Sequence, residues 1–588
     1  MLDSKVMEMN TVFAQDDVAK QVAWQWDKYN QQRRVKIEDW KELRNYIFAT
    51  DTSSTSNSSL PWKNSTHLPK LCQVRDNLHS NYISALFPND DWMTWEADDM
   101  ESAAHEKAEA IEGYLKNKAR KSHLRTEVSK LLYDYIDYGN AFATVSYCND
   151  YKVNEDGESI PQYIGPRLHR ISPLDIVFNP MADNFSNTFK IIRSIKTVGE
   201  IQKLAATDED WRNILEQRNA KLMKLGGFSI EDFDKWDGYS VDGFGNLYEY
   251  YTSGFVEILE FYGDISVEGG EVREDRIITV VDRSLVVKDV ECPSWFGTAP
   301  IFHVGWRFRP DNLWAMGPLD NLVGLQYRID HLENLKSDAM DLAIHPPLVI
   351  KGDVEEFEWG PGAEIIANDG DVQELAKNVQ WVITSQNEIA QIEQKMETYA
   401  GAPAEAMGIR TAGEKTAFEV QQLQNAAGRI FQEKITTFEI ELLEPALMAM
   451  LEVSRRNLDG SDIIRVMDDD LGIQKFLTVT RSDITASGTI RPIGARHFAA
   501  QAQLVQNLAQ TFNTPIGQMI MPHTSSINMA KMLGNVFGVE QYNLFEANIA
   551  LQEQQETQRM QNQLQEDLMV EMQQPPAPVG APSENIPS

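Results

Sequence analysis

The sequence predicts an α+β fold, and three observations carry that reading. Long segments place apolar residues at steps of three and four, the pattern of half-buried helices. Short runs rich in Val and Ile gather between Tyr248 and Trp306, bounded by turn residues. The two kinds are segregated along the chain and do not alternate, which argues against a parallel sheet, where a helix separates successive strands.

Asp16 to Ala49 reads as helix, because Val18, Val22, Trp26 and Tyr29 recur at helical steps. The Ser/Thr-rich DTSSTSNSSLPWKNST that follows is a loop. Leu71 to Phe87 and Glu101 to Tyr138 are further helical blocks, the second closed by Gly139. NAFATVSY then alternates as a strand does, and Asp175 to Phe178 and Ile191 to Thr197 are strand-like. FVEILEFYGDI, RIITVVD and SLVVKDV are predicted strands, with Gly269-Gly270 offering a hairpin turn. Trp92 and Trp95 are expected in the core of this body.

At Gly317 the pattern changes. Leu322, Leu325, Ile329 and Leu332 form a stripe on a helix running to about Ile344, with Asp320, Arg328, Asp330, Glu333, Lys336, Asp338 and Asp341 on its other faces. His345-Pro346-Pro347 stops it. LVIKGDVEEFEWGPGAEIIANDGDVQEL reads as two short strands around an acidic, Gly-rich turn. Ser385 and Glu388 then spell a capping box, opening a helix with Ile389, Ile392, Met396 and Tyr399 on one face. Two helices thus bracket a small β insertion, and lateral neighbours are expected to cover the apolar stripes of such a protrusion.

From Ala402 to Asn457 a charged loop enters a long helix. Thr416 and Glu419 form a second capping box, and Val420, Leu423, Ala427, Phe431, Ile435, Phe438 and Leu442 share one face. Pro445 lacks an amide hydrogen and crowds the carbonyl of Glu441, so a kink is expected there. IIRVM, KFLTVT and ITASGTIRPIGAR return to strand-like text, His497 to about Gln558 is helical, and QQPPAPVGAPSENIPS is Pro-rich and expected to be disordered.

Composition narrows the function classes. Asp plus Glu number 88 against 54 for Lys plus Arg, a net charge of −34 over 588 residues. That excess argues against a surface built to grip phosphates, whose affinity comes from clustered cations. Cys72, Cys148 and Cys292 are far apart and form no C-x-x-C, so neither a disulfide framework nor a zinc site is expected. His303, His331, His345 and His497 are dispersed and form no H-E-x-x-H. The N-terminus lacks the basic region and apolar core of a secretory signal, and no run reaches the roughly eighteen apolar residues of a membrane span, so a soluble protein is expected. Gly408, Gly413, Lys415 and Thr416 nearly spell a phosphate-binding loop, but Glu414 stands where a glycine is needed, and its charge would repel a triphosphate. No catalytic centre, metal or cofactor is expected.

The blocks NLWAMGPLDNLVGLQYRIDHLENLKSDAMDLAIHPPLVIKG (Asn312 to Gly352) and GAPAEAMGIRTAGEKTAFEVQQLQNAAGRIFQEKITTFEIELLEPAL (Gly401 to Leu447), supported by YDYIDYGNAFATVSY and ISPLDIVFNP, resemble the portal, or head-to-tail connector, proteins of tailed bacteriophages, short-tailed ones especially. The resemblance covers most of Asp16 to about Ala550. It implies a portal architecture: N-terminal arm and wing over 1–315, a first stem helix over 316–345, a small β clip over 346–383 and a second stem helix over 384–400. It further implies a tunnel loop and long kinked helix over 401–457, returning wing strands over 458–495, a helical crown over 496–557 and a Gln/Pro-rich, partly disordered tail over 558–588.

The function so implied is non-enzymatic. Copies of the chain, twelve in this family, would ring a channel at one capsid vertex of the virion after assembly in the host cytoplasm. A terminase motor would drive double-stranded DNA through it, and the genome would later leave by the same route. Tail adaptor, capsid and scaffolding proteins are the further partners implied. In the tunnel loop Arg410 and Lys415 are candidates for transient phosphate contact, with Glu405 and Glu414 keeping that contact weak; solvated loop charges are the plainer reading. In the clip Asp353, Glu355, Glu356, Phe357, Glu358 and Trp359 suit docking of a motor or adaptor, or packing of the two aromatics against an adjacent protomer. The stem residues Leu322, Leu325, Ile329, Leu332, Ile389, Ile392 and Met396 are expected at subunit contacts. A tail adaptor or scaffold protein is the alternative, followed by a terminase-like nucleoside triphosphatase.

Overall fold

In the computed structural model, residues 18–48, 64–88, 92–98, 105–153, 159–216, 255–266, 272–283, 285–293, 300–344, 348–351, 372–374, 380–400, 430–458, 460–467 and 474–492 are described. The chain divides into two units, one of Met1–Val466 with Phe476–Arg496, the other of Met467–Lys475 with His497–Ser588. Nearly all described residues belong to the first, which mixes helix and sheet as the sequence predicts.

The N-terminal helical segment is two helices, α1 (Val18–Gln32) and α2 (Arg34–Phe48), where one was expected. The interruption at Arg33 is local, since Arg33 N still bonds Tyr29 O and Ile37 N bonds Arg33 O. Its cause lies far away in sequence. The buried Arg33 side chain donates to the carbonyls of Pro173 (2.7 Å), Leu174 and Ile176 (2.6 Å) and to Asn30 Oδ1 (2.9 Å), satisfying three acceptors at a chain corner.

Helix α3 (Lys70–Leu86) agrees with its expected range, and β1 (Met93–Ala97) follows. The block expected as one helix from Glu101 to Tyr138 is again divided, into α4 (His105–Lys121) and α5 (Leu124–Asp137), with His123 at φ +56° between them. An unbroken helix of that length would be about 57 Å long. The turn instead brings Ile111, Tyr114 and Leu115 of α4 and Val128, Leu131, Leu132 and Tyr135 of α5 into one core. Trp92 and Trp95 are buried in the same core, as expected. Gly139 ends the block at φ +68°, and a Cβ there would lie 2.3 Å from Gly317 N, so glycine is required on both counts.

β2 (Asn140–Val153) pairs antiparallel with β3 (Ser159–Ile171). Five further strands, β4 (Ile176–Phe178), β5 (Lys190–Thr197), β6 (Phe255–Ser266), β7 (Val272–Val281) and β8 (Leu285–Glu291), form an antiparallel meander in chain order. Ser266 faces Val272 across the predicted hairpin, whose Gly269-Gly270 lies outside the described residues. Side chains alternate between the faces of a strand, and both faces of this sheet are covered. Leu259, Phe261, Ile278 and Val280 meet Val22 and Trp26 of α1. Val256, Ile258 and Val281 meet Ile201 and Ala205 of α6 (Val198–Thr207), which opens on a capping box made by Thr197 and Glu200.

β9 (Ile301–Gly305) completes a β3-β2-β9 sheet, and β10 (Arg307–Arg309) pairs with β11 (Asn312–Met316). Buried Asn140 joins these strands: its Oδ1 accepts from Ala315 N (2.9 Å) and faces His303 Nε2 (3.1 Å), while its Nδ2 donates to Tyr138 O and Ala315 O. The base of the segment that begins at Gly317 is therefore fastened to the start of β2.

Candidate functional site

A 3₁₀ turn, Asp320–Leu322, leads into α7 (Val323–Ile344), followed by β12 (Leu348–Ile350), β13 (Val372–Glu374) and α8 (Gln380–Tyr399). α7 and α8 pack side by side, and β12 pairs antiparallel with β13 from Leu348↔Glu374 to Ile350↔Val372. This is the order of two helices bracketing a small β insertion that the sequence predicts. Arg328 Nη2 reaches Glu388 Oε1 across the two helices at 3.2 Å.

Two local expectations are corrected. Ser385 and Glu388 do not cap α8, which starts five residues earlier at Gln380, inside the stretch assigned to the clip. Ser385 Oγ instead donates to Val382 O within the helix, and Glu388 serves the pair with Arg328. Nor do the apolar stripes depend on a neighbour. Leu322, Ile329, Leu332, Ile389, Ile392 and Met396 are buried in the largest core of this same chain, and Leu325 is partly buried against it. α2 and α3 lie against α7, and α3 also against α8. The apolar side chains left open on the two helices are Tyr327, Leu335, Met340 and Ile344 on α7, Ile383 on α8 and, from the predicted stripe itself, Tyr399.

The face of α7 that carries Asp330 and Asp338 is not a solvated one. Gln326, Asp330, Asn334 and Asp338 stand four residues apart and are all buried. They take backbone N–H groups from the segment before α3 and from its first turn: Asn64 N donates to Asp338 Oδ1 (3.0 Å), Thr66 N to Asn334 Oδ1 (2.7 Å), Leu68 N to Asp330 Oδ1 (3.0 Å) and, within α3, Leu71 N to Gln326 Oε1 (3.1 Å). The match is geometric. Four residues of helix rise about 6.0 Å, close to the roughly 6.6 Å of two extended residues, so a side-chain acceptor on each turn meets every second amide. Side bonds reinforce the rungs: Asn64 Nδ2 bridges Asp338 and Asp341, His67 Nδ1 meets Asp330 Oδ2 at 2.7 Å, and Gln326 Nε2 donates to Leu68 O. Lys70 Nζ ties the same segment to Glu397 of α8 at 2.6 Å. Sequence reading missed this ladder, although the four-residue recurrence of Gln326, Asp330, Asn334 and Asp338 was its signal.

Downstream, residues 430–438 are helical, Glu439–Leu443 is a π turn, and α9 (Glu444–Asn457) follows with Pro445 in its first turn. The expected irregularity thus takes the form of a π turn in which Glu444 N bonds Glu439 O, five residues back. Ile435, Phe438 and Leu442 are buried and Phe431 packs partly buried against the same core. β14 (Ser461–Met467) lies beside β15 (Gln474–Thr480), and β16 (Gly488–Pro492) returns to pair with β1.

Arg410, Lys415, Glu405 and Glu414 of the expected tunnel loop lie outside the described residues, as do Asp353, Glu355, Glu356, Phe357, Glu358 and Trp359 of the expected clip turn. The helix start at Thr416, the crown and the tail lie outside them too. A polar cleft of about 360 Å³ beside the stem base is lined by Lys36, Asp39, Glu42, Arg309, Trp314 and Asp320, among others. Burial raises the Asp320 carboxyl, which accepts from Gly317 N. Among the described residues no group of three or more His, Cys, Asp or Glu is placed to hold a metal ion, and no helix is long and apolar enough to cross a membrane. Cys72, Cys148 and Cys292 form no disulfide with one another.

No family model matches this chain, and no curated protein matches it. The class that the described residues define is an α+β protein whose body carries two packed helices bracketing a two-stranded sheet.

Proposed function

We propose that the chain is a portal subunit: a non-catalytic channel protein whose copies, twelve in the proposed ring, surround a passage for double-stranded DNA at one capsid vertex. The observation that carries this reading is the α7–β12–β13–α8 unit, set on an antiparallel α+β body and followed by a helix interrupted before Pro445. That succession supports the roles of stem, clip, wing and tunnel helix. A net charge of −34 per chain supports a lumen that does not hold a phosphate backbone. With a screening length of about 8 Å at physiological salt, friction on the DNA is decided by nearby side chains, and Arg410 and Lys415 are proposed for that transient contact. A terminase motor and a tail adaptor are the proposed partners at the clip, and capsid and scaffolding proteins those around the body. Negative-stain electron microscopy of the purified chain tests the reading: rings with a central hole support it, and single subunits or elongated tubes under all conditions contradict it.

A further inference from the structure

We infer that residues 64–69 are a releasable strap across α7, opening as one unit while α7 and α3 stay folded. The hold is made of side-chain acceptors on α7 and backbone amides on the strap, with the Asn64 and His67 side chains and the Gln326 donation to Leu68 O added to it. Releasing Asn64 to Leu68 therefore breaks none of the backbone ladder of either helix, and the Pro69 carbonyl can keep its bond from Gln73 N as the strap's anchor on α3. Residues 64–69 belong to no helix or strand, and of their side chains only Leu68 packs against the apolar core, so opening uncovers little hydrophobic surface. The closed state is not free of penalty. Asp330 and Asp338 are held away from water, and Asp338 Oδ2 is buried with no hydrogen-bond partner among the described residues. Opening hydrates both carboxylates, which offsets part of what the lost rungs supplied. Segments with few apolar contacts and externally held amides populate the low-stability end of a fold. The three regular rungs keep step at every second residue, and the fourth advances by three, to Leu71, where α3 has begun. The strap is thus a separate opening unit anchored at its C-terminal end. This inference concerns the isolated chain and holds whether or not copies form a ring.

Amide hydrogen exchange on the full chain, resolved to single residues, tests it. In the wild type the amides of Asn64, Thr66 and Leu68 should be protected, exchange with a common opening constant, and open more often than the mid-helix amides of α7. Asp338→Leu removes the acceptor of two of the three Asn64 bonds, the backbone one included, leaving Nδ2 only Asp341; it should speed exchange at Asn64 about tenfold or more, with Thr66 and Leu68 following and α7 unchanged. Asp338→Asn keeps a side-chain oxygen at the same place and should restore protection to within a few-fold. Asn334→Leu should act like Asp338→Leu, centred on Thr66. Three amides unprotected in the wild type, exchange only in step with α7, or no change in either leucine variant overturns the inference.

Discussion

Ile329→Asp and the pair Tyr327→Asp with Leu335→Asp separate the face of α7 that the chain buries itself from the face that, in the proposed ring, a neighbouring copy would cover. Ile329 is 0% exposed in the intrachain core. Its replacement forfeits about 2–3 kcal/mol of side-chain transfer and places a carboxylate among apolar groups, a further several kcal/mol. The total, about 5 kcal/mol or more, rivals the whole stability of a domain. Tyr327 and Leu335 are 41% and 37% exposed, on the same helix, with Tyr327 stacked on His331. Substituting them should change the stability of the single chain by about 0.5 kcal/mol or less. Under the ring reading these are side chains that an adjacent subunit covers, so charge there opposes assembly. Thermal melting followed by circular dichroism reads the first effect, and sedimentation velocity reads the second. Ile329→Asp should lose cooperative melting, whereas the double variant should melt like wild type and sediment as single subunits. Wild-type melting of Ile329→Asp refutes the burial argument, and wild-type rings from the double variant refute the assignment of the open stem face.

Three further outcomes are expected. Arg33→Met leaves three carbonyls at the Pro173–Ile176 corner without their charged donor, and should lower stability by about 3 kcal/mol or more in urea unfolding; a loss under about 1 kcal/mol contradicts the role given to that guanidinium. His303 stacks on Phe142 at 4.4 Å, and burial holds its imidazole down to about 3 against an ordinary value of 6.5. The fold therefore favours the neutral ring, and this contribution is fully present above pH 6.5 and is lost as the pH falls toward 3, by at most about 1.4 kcal/mol per unit. His303→Phe should show a shallower loss of urea stability between pH 7 and pH 4.5 than wild type, and equal slopes would remove His303 as the cause. Arg410→Ala with Lys415→Ala should leave rings intact while altering DNA packaging or retention, measured as packaged genome length; unchanged length and retention rule out their contact role.

Periodicity made much of this fold legible. α3, β2, β5 and the β6–β8 hairpins follow from apolar spacing and turn residues, which mark the buried face of an element whichever distant segment covers it. The helix interruptions were not legible. Arg33 bonds carbonyls about 140 residues away, and the turn at His123 exists so that two apolar faces share one core. The Ser385–Glu388 box failed because a capping motif is a local pattern, while the start of α8 was set upstream of it. The ladder on α7 was hidden for a different reason. Asp330 and Asp338 read as charges on the outer faces of a helix, and only the chain folding back at Asn64 to Leu71 gives them backbone donors. Of the candidate site, the apolar stripes of α7 and α8 were legible as apolar but not as covered by the chain itself.

In the proposed ring, copies of this chain close side by side around a passage. Electron microscopy of the purified full-length protein, imaged across concentration and salt, measures it most directly. Annular particles with an open centre and a countable rotational symmetry are expected. A population that stays as separate single subunits in every condition would contradict it.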